Sequence, residues 1–183
     1  MNQLHSRLFM FIAVCAALCL GEGTTLAASP IQGTTWDSVF AWIQRDWPDV
    51  PQMTTAELAR RLRNPRTPPL LIDTRTQKEY AVSHLPGALW AETPAQIRAA
   101  LVNVPMDRTV VLYCSVGVRS SRAAAELQRA GRSNVFNLRG SIFLWANEGR
   151  SLELDGKTVG TVHPYNRKWG TLLDPKLHAV LPR

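Results

Sequence analysis

Val110-Val111-Leu112-Tyr113-Cys114-Ser115-Val116-Gly117-Val118-Arg119-Ser120-Ser121 is the stretch that decides how this chain is built. It opens as a short run of apolar, β-prone residues and ends that run at a cysteine. A tight loop with a glycine and an arginine follows, then a helical pattern over residues 121–130. The segment reads as strand, turn and helix start, with a sulfur where the chain reverses. Backbone N–H groups in such a turn, together with the free N–H groups of a helix N-terminus, attract anions. The same field favours thiolate over thiol and makes a cysteine nucleophilic. A cysteine alone at a strand end reads more simply as a small buried apolar residue. Gly117 and Arg119 shift that balance, because a plain strand end uses neither.

Outward from this stretch, strands and helices alternate. Before it, the spacing of Trp36, Val39, Phe40, Ile43 and Trp47 predicts a helix over 35–46 that lies on the domain, stopped by Pro48. Thr54-Thr55-Ala56-Glu57 matches a capping box and predicts a helix from Thr55 to about Arg63. Leu70-Leu71-Ile72 has the wholly apolar character of a central strand. Thr93-Pro94 predicts another helix start. After the loop come a helix closed by Gly131, a strand over 135–138 and a short helix over 142–148. This alternation predicts an α/β domain, a parallel sheet with helices on both faces. Beyond Gly149, Asp155-Gly156 between two apolar runs predicts a hairpin, followed by an aromatic tail that packs on the domain surface, with a partner or substrate role as the alternative.

Four motifs in register carry a family resemblance. Cys114-Ser-Val-Gly-Val-Arg119 resembles the active loop of the rhodanese-like sulfurtransferases, in the form Cys-x-x-Gly-x-Arg. Leu71-Ile72-Asp73-Thr74-Arg75 with Glu79-Tyr80 resembles the family's Asp-x-Arg segment and the Glu-Tyr after it. Ser83-His84-Leu85-Pro86-Gly87-Ala88 resembles Gly-His-Ile-Pro-Gly-Ala, with Ser83 at the first glycine. Arg139-Gly140 through Trp145 resembles Gly-Gly-x-x-x-Trp, with Arg139 at the first glycine. The likeness runs from about residue 54 to 149. It divides the chain into a signal peptide over 1–28, a helical extension over 29–53, a rhodanese-like domain over 54–149 and a hairpin with an aromatic tail over 150–183.

The resemblance implies sulfane-sulfur transfer. Cys114 would be the nucleophile and would carry a persulfide, cradled by the N–H groups of Ser115, Val116, Gly117, Val118 and Arg119. Arg119 would hold the loop or bind the oxyanion end of the donor. Asp73 and Arg75 follow a strand's carboxyl end, where open α/β sheets place their sites. Asp73 reads as a structural ion-pair partner, and Arg75 either as its mate or as a substrate-binding residue at the rim. The implied partners are a small anionic donor such as thiosulfate and a thiol or cyanide acceptor, with relay to a protein acceptor as the alternative. No cofactor is implied, and His84 reads as a hydrogen-bonded turn residue, since no zinc-site spacing surrounds it. A phosphatase of the cell-cycle dual-specificity type is the enzymatic rival. Such loops hold one residue more between cysteine and arginine than the four here, 115–118, because they must enclose a phosphoryl group.

Compartment and charge complete the reading. Arg7, the apolar run of 13 residues over 8–20 and the small residues 24–28 predict an export signal cleaved after Ala27 or Ala28. That run is too short for a permanent membrane span, so a periplasmic or secreted location is expected. Cleavage removes Cys15 and Cys19 and leaves Cys114 as a lone thiol, without an internal disulfide. The net charge of +7 suits anionic substrates. The basic residues are scattered, and the densest group, Arg60, Arg61, Arg63 and Arg66, complements a helix C-terminus, which argues against a nucleic-acid surface.

Overall fold

The computed structural model describes residues 34–181; the expected export signal lies outside them. Thr35 caps the first helix, α1 (Trp36–Asp46), in a full capping box with Ser38. A two-residue strand, β1 (Gln52–Met53), leads into α2 (Thr55–Leu62). Thr54 caps α2 as expected, accepting from Glu57 N–H at 3.1 Å. The reciprocal half of the box is absent, because the Glu57 carboxylate turns to Arg61 at 2.8 Å. Then come β2 (Leu70–Asp73), α3 (Gln77–Tyr80), β3 (Leu89–Trp90) and α4 (Pro94–Ala100), which Thr93 and Pro94 start as the sequence predicts. The central pair is β4 (Val110–Tyr113) and α5 (Val118–Arg129), followed by β5 (Val135–Leu138) and α6 (Ser141–Asn147). The hairpin β6 (Leu152–Leu154) and β7 (Lys157–Val159) and the short helix α7 (Arg167–Gly170) form the tail.

Five parallel strands make one sheet in the order β1-β5-β4-β2-β3, as the alternation predicts. Side chains alternate across each strand, and β4 shows the result. Val111 and Tyr113 enter one core with Val39, Ile43, Leu58 and Phe143, while Val110 and Leu112 enter the other with Ile97, Ala124 and Leu127. Helices α1, α2 and α6 therefore cover one face, and α4 and α5 the other. Cys114 follows the last residue of the central strand, at the sheet's carboxyl edge.

Two flanks turn out to be integral to the domain. The sheet begins at Gln52, inside the stretch assigned to an extension, because Gln52 and Met53 pair with Asn137 and Leu138 of β5. On α1, Val39 and Ile43 are 1% and 2% exposed. Burying two such aliphatic side chains contributes about 3–6 kcal/mol as an upper estimate, so α1 is firmly docked. The hairpin is held by paired backbone bonds between His84 and Glu153 at 3.0 and 2.9 Å. Leu172 and Leu173 of the tail lie in the core. Among the described residues, no helix is long and apolar enough to cross a membrane.

Candidate active site

The helix after the cysteine starts three residues earlier than its apolar pattern suggests. Gly117 has φ +110, which an L side chain rarely adopts, and it ends the turn so sharply that Val118 already opens α5. An added Cβ at Gly117 would also sit 3.1 Å from Ile43 Cδ1 and 3.2 Å from Asn137 Nδ2, so α1 packs directly on the loop. Ser121 N–H is already taken up by the helix, donating to Gly117 O at 3.0 Å. That leaves the N–H groups of Val118, Arg119 and Ser120 without intrahelical partners beside the sulfur.

The cysteine's own backbone is pinned from α6. Cys114 N–H donates to Ser141 Oγ at 3.1 Å, and Cys114 O and Ser115 O accept from Ile142 and Phe143 N–H at 3.2 and 3.1 Å. Its sulfur accepts from Gly117 N–H at 3.1 Å, and the residue as a whole is 1% exposed. Burial pushes the thiol up. The Arg119 charge and the N–H groups of Ser120 and Gly117 outweigh it and bring the thiol below its ordinary value. The Ser120 hydroxyl also lies against the sulfur, but it gives its one proton to Asn137 Oδ1 at 2.6 Å. The lowering therefore rests on Arg119 and the backbone.

Arg119 is the loop's brace, the first of the two roles open to it. Its guanidinium meets Glu79 at 2.7 and 2.9 Å and the Ser115 hydroxyl at 2.9 Å. Glu79 also accepts from Ser115 Oγ at 2.8 Å and from Thr76 N–H at 3.0 Å. Burial works against this carboxylate's charge, yet Arg119, Ser115 and Thr76 hold it down at about 2. Sequence reasoning quoted Glu79 and gave it no role. Its one local signal is the Thr76-x-x-Glu79 capping box of α3, which says nothing of an arginine forty residues later.

Arg75 requires a correction as a substrate-binding residue. It is fully buried and forms a 2.6 Å ion pair with Asp73, and it also donates to Ser83 O at 2.6 Å. The side chain is spent on Asp73 and Ser83 and does not line the pocket over Cys114, so the pair is the structural one of the two readings. His84 likewise holds its turn, stacked on Tyr80 at 3.9 Å and facing Glu153 at 3.5 Å. Among the described residues, no group of three or more His, Cys, Asp or Glu side chains could hold a metal ion.

A pocket of about 190 Å³ opens above the sulfur, lined by Trp42, Cys114, Ser115, Val116, Val118, Arg119, Tyr165 and Trp169. Cys114, Ser115, Val116, Val118 and Arg119 are thus brought together as expected, while Gly117 turns its N–H to the sulfur from behind. The sequence does not single out these three aromatic residues, since Trp42 falls outside the apolar stripe of α1 and no motif in the tail chooses between packing and a substrate role for Tyr165 and Trp169. Tyr165 has φ +63, uncommon for a bulky residue. It is held there by a 2.9 Å bond from its N–H to His163 Nδ1 and by Arg119 at 4.8 Å from its ring. Burial keeps His163 below its ordinary value and so leaves Nδ1 free to accept.

The profile of the Rhodanese-like domain matches residues 54–148. This chain is a member of the rhodanese-like family. A sulfurtransferase from Allochromatium vinosum is 43% identical over 81 residues, which span 44% of this chain and 74% of that protein. A tRNA uridine(34) hydroxylase from Photorhabdus laumondii is 29% identical over 116 residues, 60% of this chain but only 32% of that one. A rhodanese-like domain protein from Staphylococcus aureus, solved as a crystal structure, superposes with a TM-score of 0.50 at 27% identity. It covers 58% of this chain and 100% of its own. The matched region thus spans most of the sulfurtransferase but only about a third of the hydroxylase. Trp42, Tyr165 and Trp169 all lie outside the matched residues.

Proposed function

We propose that this rhodanese-like protein moves a sulfane sulfur from thiosulfate or a persulfide donor to a thiophilic acceptor through a persulfide on Cys114. The observation that carries the reading is the Cys114 sulfur itself. It accepts an N–H bond from Gly117 at the start of α5, and its thiol lies below the ordinary value. The thiolate attacks the outer sulfur of the donor. A bond forms between Sγ and that sulfur as the S–S bond of thiosulfate breaks, and its electron pair leaves with sulfite. Cyanide or a thiolate then attacks the outer sulfur, and the pair of the persulfide bond returns to Cys114. Sulfite leaves as a stable anion, so no general acid is needed, and residues 115–121 supply no histidine or carboxylate. Two half-reactions on one cysteine give ping-pong kinetics.

The loop length weighs against the phosphatase rival, since four residues, 115–118, separate cysteine and arginine where a phosphoryl-binding loop of that type holds one more. Intact-mass analysis after incubation with thiosulfate is expected to show one added sulfur on Cys114, lost as thiocyanate when cyanide is added. An unchanged mass overturns the proposal. Loading without turnover to cyanide assigns Cys114 to relay toward a protein acceptor instead.

We propose further that the chain is exported, to the periplasm or beyond the cell. The support is the charged start, the apolar run over 8–20 and the small residues 24–28. N-terminal sequencing of the native protein is expected to begin at Ala28 or Ser29, and a native protein beginning at Met1 overturns export with cleavage.

A further inference from the structure

The wall of the pocket that faces the loop does not come from the family-matched residues. Trp42 stands on α1, before that region, and Tyr165 and Trp169 stand after it. The two flanks meet above Cys114. Trp42 and Trp169 stack with centroids 6.1 Å apart at 21°, and Tyr165 lies over Arg119. Each flank is anchored apart from this meeting. Val39 and Ile43 hold α1, and the tail is held by buried Leu173 and by Asn147 Nδ2 donating to Leu172 O at 2.8 Å. The roof is a built part of the molecule.

We infer that the preferred donor is an organic sulfane-sulfur anion carrying an aromatic or similarly flat apolar group, and that Trp42 and Trp169 determine this preference. The inference rests on the sulfur-transfer reading above. A cavity needs only ~10–15 Å³ of such space to hold one water, so about 190 Å³ is far more than the small thiosulfate ion fills. Arg119 and Ser115 spend part of their hydrogen bonding on Glu79, so the polar groups that face a donor lie on the loop side of the pocket. An inorganic dianion gains those groups, but its far end would shed water beneath ring faces that return no hydrogen bond. A monoanion with an aromatic body directs its charged sulfur to the N–H groups of the loop and buries its ring against Trp42 and Trp169. With an aryl thiosulfonate, the Cys114 thiolate attacks the terminal sulfur. The new Sγ–S bond forms as the bond from that sulfur to the sulfonyl sulfur breaks, and its electron pair leaves on the aryl sulfinate. No oxidant, reductant or proton is needed.

Sulfur loading is to be measured with thiosulfate and benzenethiosulfonate on the full chain and on Trp42→Ala and Trp42→Phe. The wild type is expected to favour benzenethiosulfonate by ~10-fold or more in kcat/KM, the scale on which one apolar contact discriminates. Trp42→Ala is expected to cut that ratio ~10-fold, mainly through KM, and Trp42→Phe to keep most of it. Benzenesulfinate, the released product, is expected to compete with the donor in the wild type and ~10-fold less well in Trp42→Ala. A wild-type ratio near one, or a ratio that Trp42→Ala leaves unchanged, overturns the donor assignment while leaving sulfur transfer standing. Failure of both donors to load Cys114 overturns the sulfur-transfer reading, and the donor assignment falls with it.

Discussion

Cys114→Ser is expected to abolish sulfur transfer, by at least ~10⁴-fold, because the single nucleophile of a covalent mechanism is removed. A serine hydroxyl at this site stays protonated at neutral pH, and no residue between 115 and 121 can act as a base for it. The fold is expected to survive. The backbone of Cys114 is fixed through Ser141 and Ile142, by hydrogen bonds that do not involve the sulfur. A serine oxygen can still accept from Gly117 N–H. The thermal midpoint is expected to shift by an amount equivalent to less than ~1 kcal/mol. Steady-state turnover with thiosulfate and cyanide, with circular dichroism as the folding control, checks both halves. Residual transfer within tenfold of wild type places the nucleophile elsewhere.

Glu79→Ala is expected to be the most damaging change that leaves the nucleophile in place. It removes the acceptor of Arg119, Ser115 and Thr76 together and strands a guanidinium that keeps a third of its side chain in water. Breaking a buried ion pair costs ~3–5 kcal/mol, and the exposure of Arg119 brings the expected loss to about 2–4 kcal/mol. The loop also loses its brace. Donors aimed at a reacting anion are worth ~2.7–4 kcal/mol each, so a loosened loop is expected to slow loading of Cys114 by at least ~100-fold. A variant that keeps wild-type loading shows that the Glu79–Arg119 pair is not what positions the loop.

The same carboxylate predicts an acid signature. Its ordinary value of 4.5 falls to about 2 in the folded chain. A group depressed by folding stabilises the native state fully above its unfolded value and stops doing so as pH falls through its folded one. The contribution, ~3 kcal/mol, is therefore present above pH 4.5 and is lost between there and about pH 2. Urea titrations across that window are expected to show a steeper loss for the wild type than for Glu79→Gln, which has no charge to protonate. Equal slopes remove Glu79 as the cause.

Much of this protein is determined locally. Strands β2 and β4 carry short apolar runs whose burial on both faces their composition announces, and capping residues such as Thr93 mark helix starts within a few positions. The nucleophile is legible for the same reason, since strand end, cysteine, glycine and arginine are consecutive and their spacing is the chemistry. What tertiary structure alone decided lies between residues far apart in the chain. The start of α5 at Val118 depends on Gly117 taking φ +110 against Ile43 and Asn137, a contact no window around the loop contains. Asp73 is a local partner for Arg75, but the burial that closes Arg75 off comes from the packed sheet, and Glu79, which ties down Arg119, arrives from α3. The aromatic roof is the clearest case. In the sequence Trp42 lies outside the apolar stripe of α1, and Trp169 lies in a tail without a motif. Only the docking of α1 and the tail on the same face of the sheet brings their rings together above Cys114. Helical periodicity records which side of a helix is apolar, and carries no information about which other segment, or which sulfur, that side will meet.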